Sequence, residues 1–146
     1  MNTELVSKLM ELTPGFQGVF PCDHLPNAEP FTSFIVNTDP SAEPGDHWIA
    51  IYISEKTLYF FDSFGRKIDD FKDPFKSYMK RFSKNFNVRT DSKLLQFFLS
   101  NSCGYWCIYY IYCKFCNVRF MFKIFSNNNL KNEKILYDTM NFIFTL

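Results

Sequence analysis

The sequence predicts an α+β fold: a small central, mostly antiparallel sheet flanked by helices. Three observations predict it. A short amphipathic segment opens the chain. Strand-length apolar stretches with hairpin-length connections fill its middle. Two helical patterns close it. The 146 residues show no internal repeat and no linker composition, so they read as one domain, 1–146. Hydrophobic residues make up 47% and 19 residues are Phe, which suits a packed core and excludes a disordered chain.

TELVSKLMEL, from Thr3, has Val6, Leu9 and Met10 at helical spacing, with Thr3 as a cap and Pro14-Gly15 as the stop. Residues 16–30 contain Gly18, Pro21, Pro26 and Pro30 and read as loop. FTSFIVNT (31–38) is rich in β-branched and aromatic residues and reads as a strand. DPSAEPGD (39–46) is a turn-rich connection. HWIAIYI (47–53) and TLYFFD (57–62) read as two strands joined by Ser54-Glu55-Lys56, a hairpin-length link. DDFKDPFKSYMKRF reads as a helix with Pro74 in its first turn. NFNVRT (85–90) and KLLQF (93–97) read as short strands. A long helix is expected from about 103 to 116, with room to extend toward 124. SNNN (126–129) breaks the chain, and a last amphipathic helix spans 130–144 with Ile135, Leu136, Met140 and Ile143 on one side.

Net charge is +1, so no overall field recruits nucleic acid. Lys114, Arg119, Lys123, Lys131 and Lys134 form a local basic cluster that reads as a solvated face. Residues 1–15 mix polar and apolar types and do not form a signal peptide. Lys114 and Arg119 interrupt the longest apolar run, so no membrane span is expected. The expected setting is intracellular, where thiols stay reduced, and five cysteines is an odd number for a disulfide framework.

Four of those cysteines lie in SNSCGYWCIYYIYCKFC, residues 100–116. With Cys103 as origin on a helical wheel, Cys107, Cys113 and Cys116 fall at about 40°, 280° and 220°. Ligands spread so widely do not converge on one zinc, and their spacings miss the zinc-knuckle patterns, so no metal is expected. Cys107, Cys113 and Cys116 read as small apolar core residues. Cys103 differs. Asn101 or Ser102 can cap the helix before it, which puts Cys103 in the first turn, where the helix dipole favours a thiolate. Gly104 beside it leaves room for a substrate. Position alone leaves a nucleophile and a buried structural thiol both open.

A nucleophilic thiol needs a base, and the base an orienting partner. The chain has two histidines, His24 in a Pro-rich loop and His47 at the start of a strand. His47 shares a strand face with Ile49 and Ile51. In an antiparallel hairpin the start of one strand lies beside the end of the next, which brings Asp62 near His47. Asp62 then has the imidazole as its one obvious partner. Asp46 is a rival, although adjacent strand residues point to opposite faces. His47 as a plain edge histidine and Asp62 as a turn residue are the bland alternatives. Gln96, seven residues before Cys103, is either a solvated polar residue or an amide donor to a developing oxyanion.

The order and neighbours of these residues resemble the adenovirus-type cysteine endopeptidases (adenain), of the same clan as the SUMO-specific isopeptidases. The likeness rests on IVNT before a Gly-containing loop and His47-Trp48, on YFFDSFG, on Gln96 seven residues before Cys103-Gly104, and on the aromatic helix after NSCG. KILYDTMNFIF fits the family's C-terminal helix more loosely. The resemblance covers the chain from about residue 16 onward. It implies an adenain-like fold with the nucleophile at the N-terminus of a long buried helix. It implies Cys103 as nucleophile, His47 as general base and then acid, and Asp62 as the group orienting the imidazole. Gln96 and the Cys103 N–H would form the oxyanion hole, and Trp48 would shape the site. The function implied is a viral or virus-like endopeptidase that cleaves precursor proteins during virion maturation, in the host nucleus or the virion. Small residues such as Gly would precede the cut.

Several features depart from the family pattern. Asp62 stands where adenain has Glu, the hairpin from His47 to Asp62 is shorter, and the chain is shorter at its C-terminal side. The family resemblance also implies an activating disulfide-linked peptide and DNA. Segment 80–95 contains no cysteine, however, and the near-neutral charge offers at most weak DNA association. The triad itself calls for no cofactor. Two other functions fit the same residues: a ubiquitin- or SUMO-type isopeptidase of this clan, and a binding protein that keeps the fold without turnover.

Overall fold

A run of apolar residues broken by a three-residue polar link forms the centre of the molecule. The computed structural model describes residues 3–119 and 121–144. Strands β3 (Trp48–Ile53) and β4 (Thr57–Phe61) are the expected hairpin, closed by the Ser54 N–H donating to the Thr57 carbonyl at 2.9 Å. Strand β2 (Thr32–Asn37) pairs antiparallel with β3, from Asn37 opposite Trp48 to Thr32 opposite Ile53. Two further strands, β1 (Phe16–Pro21) and β5 (Asn87–Thr90), complete a five-stranded sheet in the order β1-β2-β3-β4-β5.

The sheet is mixed, which corrects the expectation of a mostly antiparallel one: β1 and β5 each pair parallel to their neighbour. A parallel partner needs a crossover, and the β4–β5 connection supplies one through helix α2 (Phe75–Phe82). Strand β1 was read as loop because of Gly18 and Pro21. Its register shifts between Phe16 and Val19, with Gly18 at φ +130° between them. Pro21 sits at the end of an edge strand, where a missing N–H costs little. Residues 93–97 form no strand. Leu94 makes one isolated bridge to Phe64, and the Leu95 and Gln96 N–H groups both donate to the Ser63 carbonyl. That segment covers the turn after β4 instead of lengthening the sheet. The helix expected over 69–82 divides into a short 3-10 turn, Ile68–Asp70, and α2. Pro74 disfavours helical geometry at Asp73, which separates the two.

Alternation along the strands sorts the core onto two faces. Phe34, Val36, Ile49, Ile51, Ile53, Leu58 and Phe60 pack with Phe71, Phe75 and Met79 beneath α2. Ile35, Ala50 and Phe61 face helices α1 (Thr3–Met10), α3 (Cys103–Phe115) and α4 (Asn129–Phe144). With both faces covered, the strands read as near-continuous apolar runs. Ala50 is the small residue of the middle strand on the α3 side, and beside it the ring of Phe61 stacks on Tyr110 of α3 at 4.5 Å and 5°. Eight residues of α3 are buried, including Trp106, Ile108 and Tyr110. This helix is the long buried one expected.

Helix α3 ends at Phe115 and does not run toward 124. Asn117 takes φ +54°, the Val118 N–H donates to the Cys113 carbonyl, and the Asn117 N–H donates to Lys114, which closes a Schellman stop. Cys107 and Cys113 are buried as expected, but the stop leaves Cys116 exposed. The SNNN break works as a cap: the Asn128 side chain accepts from the Lys131 N–H at 3.0 Å.

Phe61 both fills the core and ends the strand that leads to Asp62. Phe61→Ala is expected to cost about 3–5 kcal/mol of stability, read as a lower urea midpoint at unchanged slope.

Candidate active site

Both His47 and Asp62 lie one residue outside the hairpin strands, His47 before β3 and Asp62 after β4. Ala50 pairs with Phe61, so continuing the register sets His47 opposite Phe64 with Asp62 on the diagonal. The rings of His47 and Phe64 lie 5.2 Å apart, and His47 Nε2 is 2.6 Å from Asp62 Oδ1. Asp62 is wholly buried and His47 nearly so. A bond through Nε2 leaves Nδ1 for another partner, and the Cys103 thiol lies close enough for it and the ring to shift each other's titration. Three residues distant in sequence therefore meet: thiol, imidazole, carboxylate.

The second oxygen of Asp62 accepts from the Arg66 backbone N–H at 3.1 Å and from Arg66 Nε at 2.8 Å. This corrects the expectation that the imidazole is the one partner of Asp62. Between them Gly65 takes φ +81° and donates its N–H to the Asp62 carbonyl at 3.0 Å. A Cβ at Gly65 would stand 3.0 Å from the Leu94 nitrogen, so this tight turn needs glycine. An acid and an Arg four residues apart was a legible signal in DSFGR. Asp46 is exposed, and His24 pairs with Asp23 at the surface, away from this site.

Charges follow the geometry. Burial would raise the Asp62 carboxyl, but hydrogen bonds from His47 and Arg66 outweigh it and hold the group below the usual carboxylate range. Burial would favour a neutral His47, but Asp62 and Cys103 together raise the ring above its ordinary value. Burial would raise the Cys103 thiol. The imidazole outweighs it, helped by the backbone N–H groups of Trp48 and Gly104, so the thiol lies below its ordinary value. By contrast burial drives Cys107, one turn along the same helix, well up. One face of α3 thus carries a thiol below its ordinary value at the cleft and one well above it in the core.

Cys103 is half-buried in the first turn of α3, where backbone N–H groups lack partners within the helix. Ser102 occupies the cap position but makes no side-chain capping bond. Two clefts meet at Cys103. One, of about 340 Å³, is lined by His47, Phe64, Arg66, Gln96 and Phe98. The other, of about 220 Å³, is lined by Gly45, Asp46, Trp48, Asn101 and Gly104. Trp48 also packs against the α3 side of the core.

Gln96 is buried, not solvated. Its Oε1 accepts from Ser63 Oγ at 2.6 Å and its Nε2 donates to the Ser100 carbonyl at 3.0 Å. A carbonyl only accepts, so the amide orientation is determined, and one of its two N–H groups remains. Ser63 was not anticipated. Its place directly after Asp62 is the only sequence signal for it. Among the described residues, no three His, Cys, Asp or Glu side chains gather as a metal site.

A sequence model of the adenovirus endoprotease family matches residues 16–140. The chain belongs to the adenovirus endoprotease family. This endoprotease-family chain is 30% identical to the protease of bovine adenovirus 7 over 123 residues, covering 75% of the chain and 60% of that protease. It is 28% identical to the bovine adenovirus 4 protease over 162 residues, covering 88% and 79%. It is 31% identical to the protease of ovine adenovirus D serotype 7 over 123 residues, covering 75% and 60%. The match therefore spans less than two thirds of the bovine adenovirus 7 and ovine proteases. The central domain of an uncharacterized Legionella pneumophila protein shares the fold, with a TM-score of 0.60 at 17% identity over 97% of this chain and 94% of that one.

A lowered thiol keeps its thiolate as pH falls, and loses it only below its own shifted value. Removing His47 leaves burial dominant and shifts the titration upward. In this endoprotease-family chain, Cys103 should react with iodoacetamide at about pH 6.5 while Cys107 does not, and His47→Ala should slow it at least about tenfold. Mass spectrometry of the labelled peptides measures both rates.

Proposed function

We propose that this chain is a cysteine endopeptidase that cleaves viral precursor proteins during virion maturation, inside the host cell or the virion. One observation carries the reading: a half-buried thiol at a helix N-terminus, in line with a buried imidazole and a buried carboxylate, with a buried amide on the same cleft. Membership of a protease family supports it.

Cys103 Sγ gives its proton to His47 Nδ1 and attacks the scissile carbonyl carbon. The carbonyl oxygen becomes an oxyanion, met by the Cys103 backbone N–H and the remaining N–H of Gln96. The imidazolium, stabilised by Asp62, gives its proton to the leaving nitrogen as the C–N bond breaks. A thioester on Cys103 remains. Water, deprotonated by His47, attacks it through a second tetrahedral intermediate, and release of the thiolate returns the proton to the pair. Asp62 holds the tautomer with Nε2–H toward itself, so that Nδ1 is the atom that shuttles. Gly104 and Gly45, which line the cleft without side chains, leave room for the substrate backbone to approach Cys103.

The triad and amide supply every step, so no metal or organic cofactor is called for. A separate, basic cleft of about 550 Å³ at the far end of α3, lined by Arg89, Lys93, Lys114 and Arg119 beside Asp91, is the place a weakly held anionic partner such as DNA would occupy.

Cys103→Ala and His47→Ala are each expected to abolish cleavage of a Gly-containing fluorogenic peptide while the thermal melt stays within a few degrees. Asp62→Asn should retain more activity than either. Gln96→Ala should lose about 10²-fold or more in kcat. Near wild-type turnover in the first two would exclude the triad.

A further inference from the structure

The segment from Phe97 to Ser102 connects the two groups proposed to meet the oxyanion, and within itself it has one turn bond, from the Ser100 N–H to the Phe97 carbonyl at 2.9 Å. It forms no helix or strand, and Phe98 and Leu99 are 74% and 75% exposed. Its anchor is a carboxylate 36 residues further on. Glu133, in the second turn of α4, is buried at 7% exposure. Its Oε1 accepts from the Phe97 backbone N–H at 2.9 Å and from Ser100 Oγ at 2.9 Å. A carboxylate only accepts, so the single hydroxyl hydrogen of Ser100 goes to Glu133. The Ser102 hydroxyl, 3.0 Å away, is then the donor to Ser100 Oγ. The carbonyl of the same Ser100 accepts from Gln96 Nε2 at 3.0 Å. One carboxylate oxygen thus holds both ends of the span between Gln96 and the cap of α3.

The arrangement is costly for a merely structural contact. Glu133 Oε2 is buried with no hydrogen-bond partner. An apolar side chain of similar size would avoid that penalty but would leave the Phe97 N–H and the Ser100 hydroxyl unpaired. We propose that Glu133 is a positioning residue for the oxyanion hole: it fixes Ser100, and Ser100 fixes the amide of Gln96 at its distance from Cys103. The C-terminal helix thereby sets the rate of the acyl-transfer steps without touching substrate. This rests on the peptidase reading above.

The experiment compares wild type, Glu133→Ala, Glu133→Gln and Ser100→Ala, each alone and with Gln96→Ala. Three readouts are taken on active sites counted by titration: kcat and KM on a fluorogenic peptide, the affinity of a peptide aldehyde, and the rate of Cys103 alkylation by iodoacetamide. The aldehyde forms a tetrahedral adduct and needs the oxyanion donors, whereas alkylation needs only the thiolate. Glu133→Ala should lower kcat about tenfold with KM within about twofold, weaken the aldehyde in proportion, and leave alkylation unchanged. Glu133→Gln, which keeps an acceptor oxygen, should recover part of the loss. In the Gln96→Ala background the Glu133 and Ser100 changes should have no further effect on kcat. Unchanged kcat per titrated site in Glu133→Ala and Ser100→Ala, or a loss that persists without Gln96, overturns the proposal. If Glu133→Ala does not fold, Ser100→Ala and Glu133→Gln decide it by the same readouts. A wild type that alkylates at Cys103 but cleaves no peptide overturns the peptidase reading itself, a result distinct from failure of the Glu133 variants alone.

Discussion

The buried carboxylate of Asp62 is the constraint around which the site is arranged. A wholly buried charge is tolerated only when its oxygens are matched by donors. Asp62 has three: the imidazole on one oxygen, and the Arg66 backbone and guanidinium on the other. That requirement explains much nearby. It demands the tight turn through Gly65 that returns Arg66 to the strand end. It commits His47 Nε2, so only Nδ1 is left for Cys103. The Arg66 guanidinium in turn stacks over Phe71 at 4.3 Å, which ties the site to the α2 side of the core.

The thiol reaches this carboxylate through packing, not local sequence. Helix α3 lies over the middle of the sheet because Ala50 lets it approach and the ring of Phe61 meets Tyr110. Its first turn then stands at the end of the β3–β4 hairpin, where His47 and Asp62 leave the strands. The same helix carries Cys107 into the core, where burial drives its thiol well above its ordinary value. Two cysteines on one helix face, four residues apart, thus differ in their titration because Cys103 is half-buried beside the imidazole and Cys107 lies in the core.

Much of this was legible beforehand. The strands rich in β-branched and aromatic residues, β2, β3 and β4, and helices α1, α3 and α4 agreed with expectation to within a residue or two. The pairing of His47 with Asp62 followed from hairpin geometry alone. The misreadings share a cause. Strand β1 contains a glycine and a proline that are harmless only at a sheet edge. KLLQF has strand-like composition, but its Leu95 and Gln96 N–H groups go to the Ser63 carbonyl and its Phe97 N–H to Glu133. Cys116 continues an apolar pattern into the stop that Asn117 makes, a local turn. For β1 and KLLQF a neighbour remote in sequence chose between two locally acceptable conformations.

The sequence by itself determined the α+β class, the central strands and the long helices, the family resemblance and the thiol, imidazole, carboxylate and amide that merit attention. Those rest on residue type, local periodicity and spacing, which are properties of the chain before it folds. Only the tertiary structure decided how the charges and amides are held: Arg66 on Asp62, Ser63 and Ser100 on Gln96, Glu133 on the segment between Gln96 and Cys103. Hydrogen bonds act within about 3 Å, and which groups come that close depends on segments far apart in the chain, brought together by burial of apolar surface that has no direction of its own.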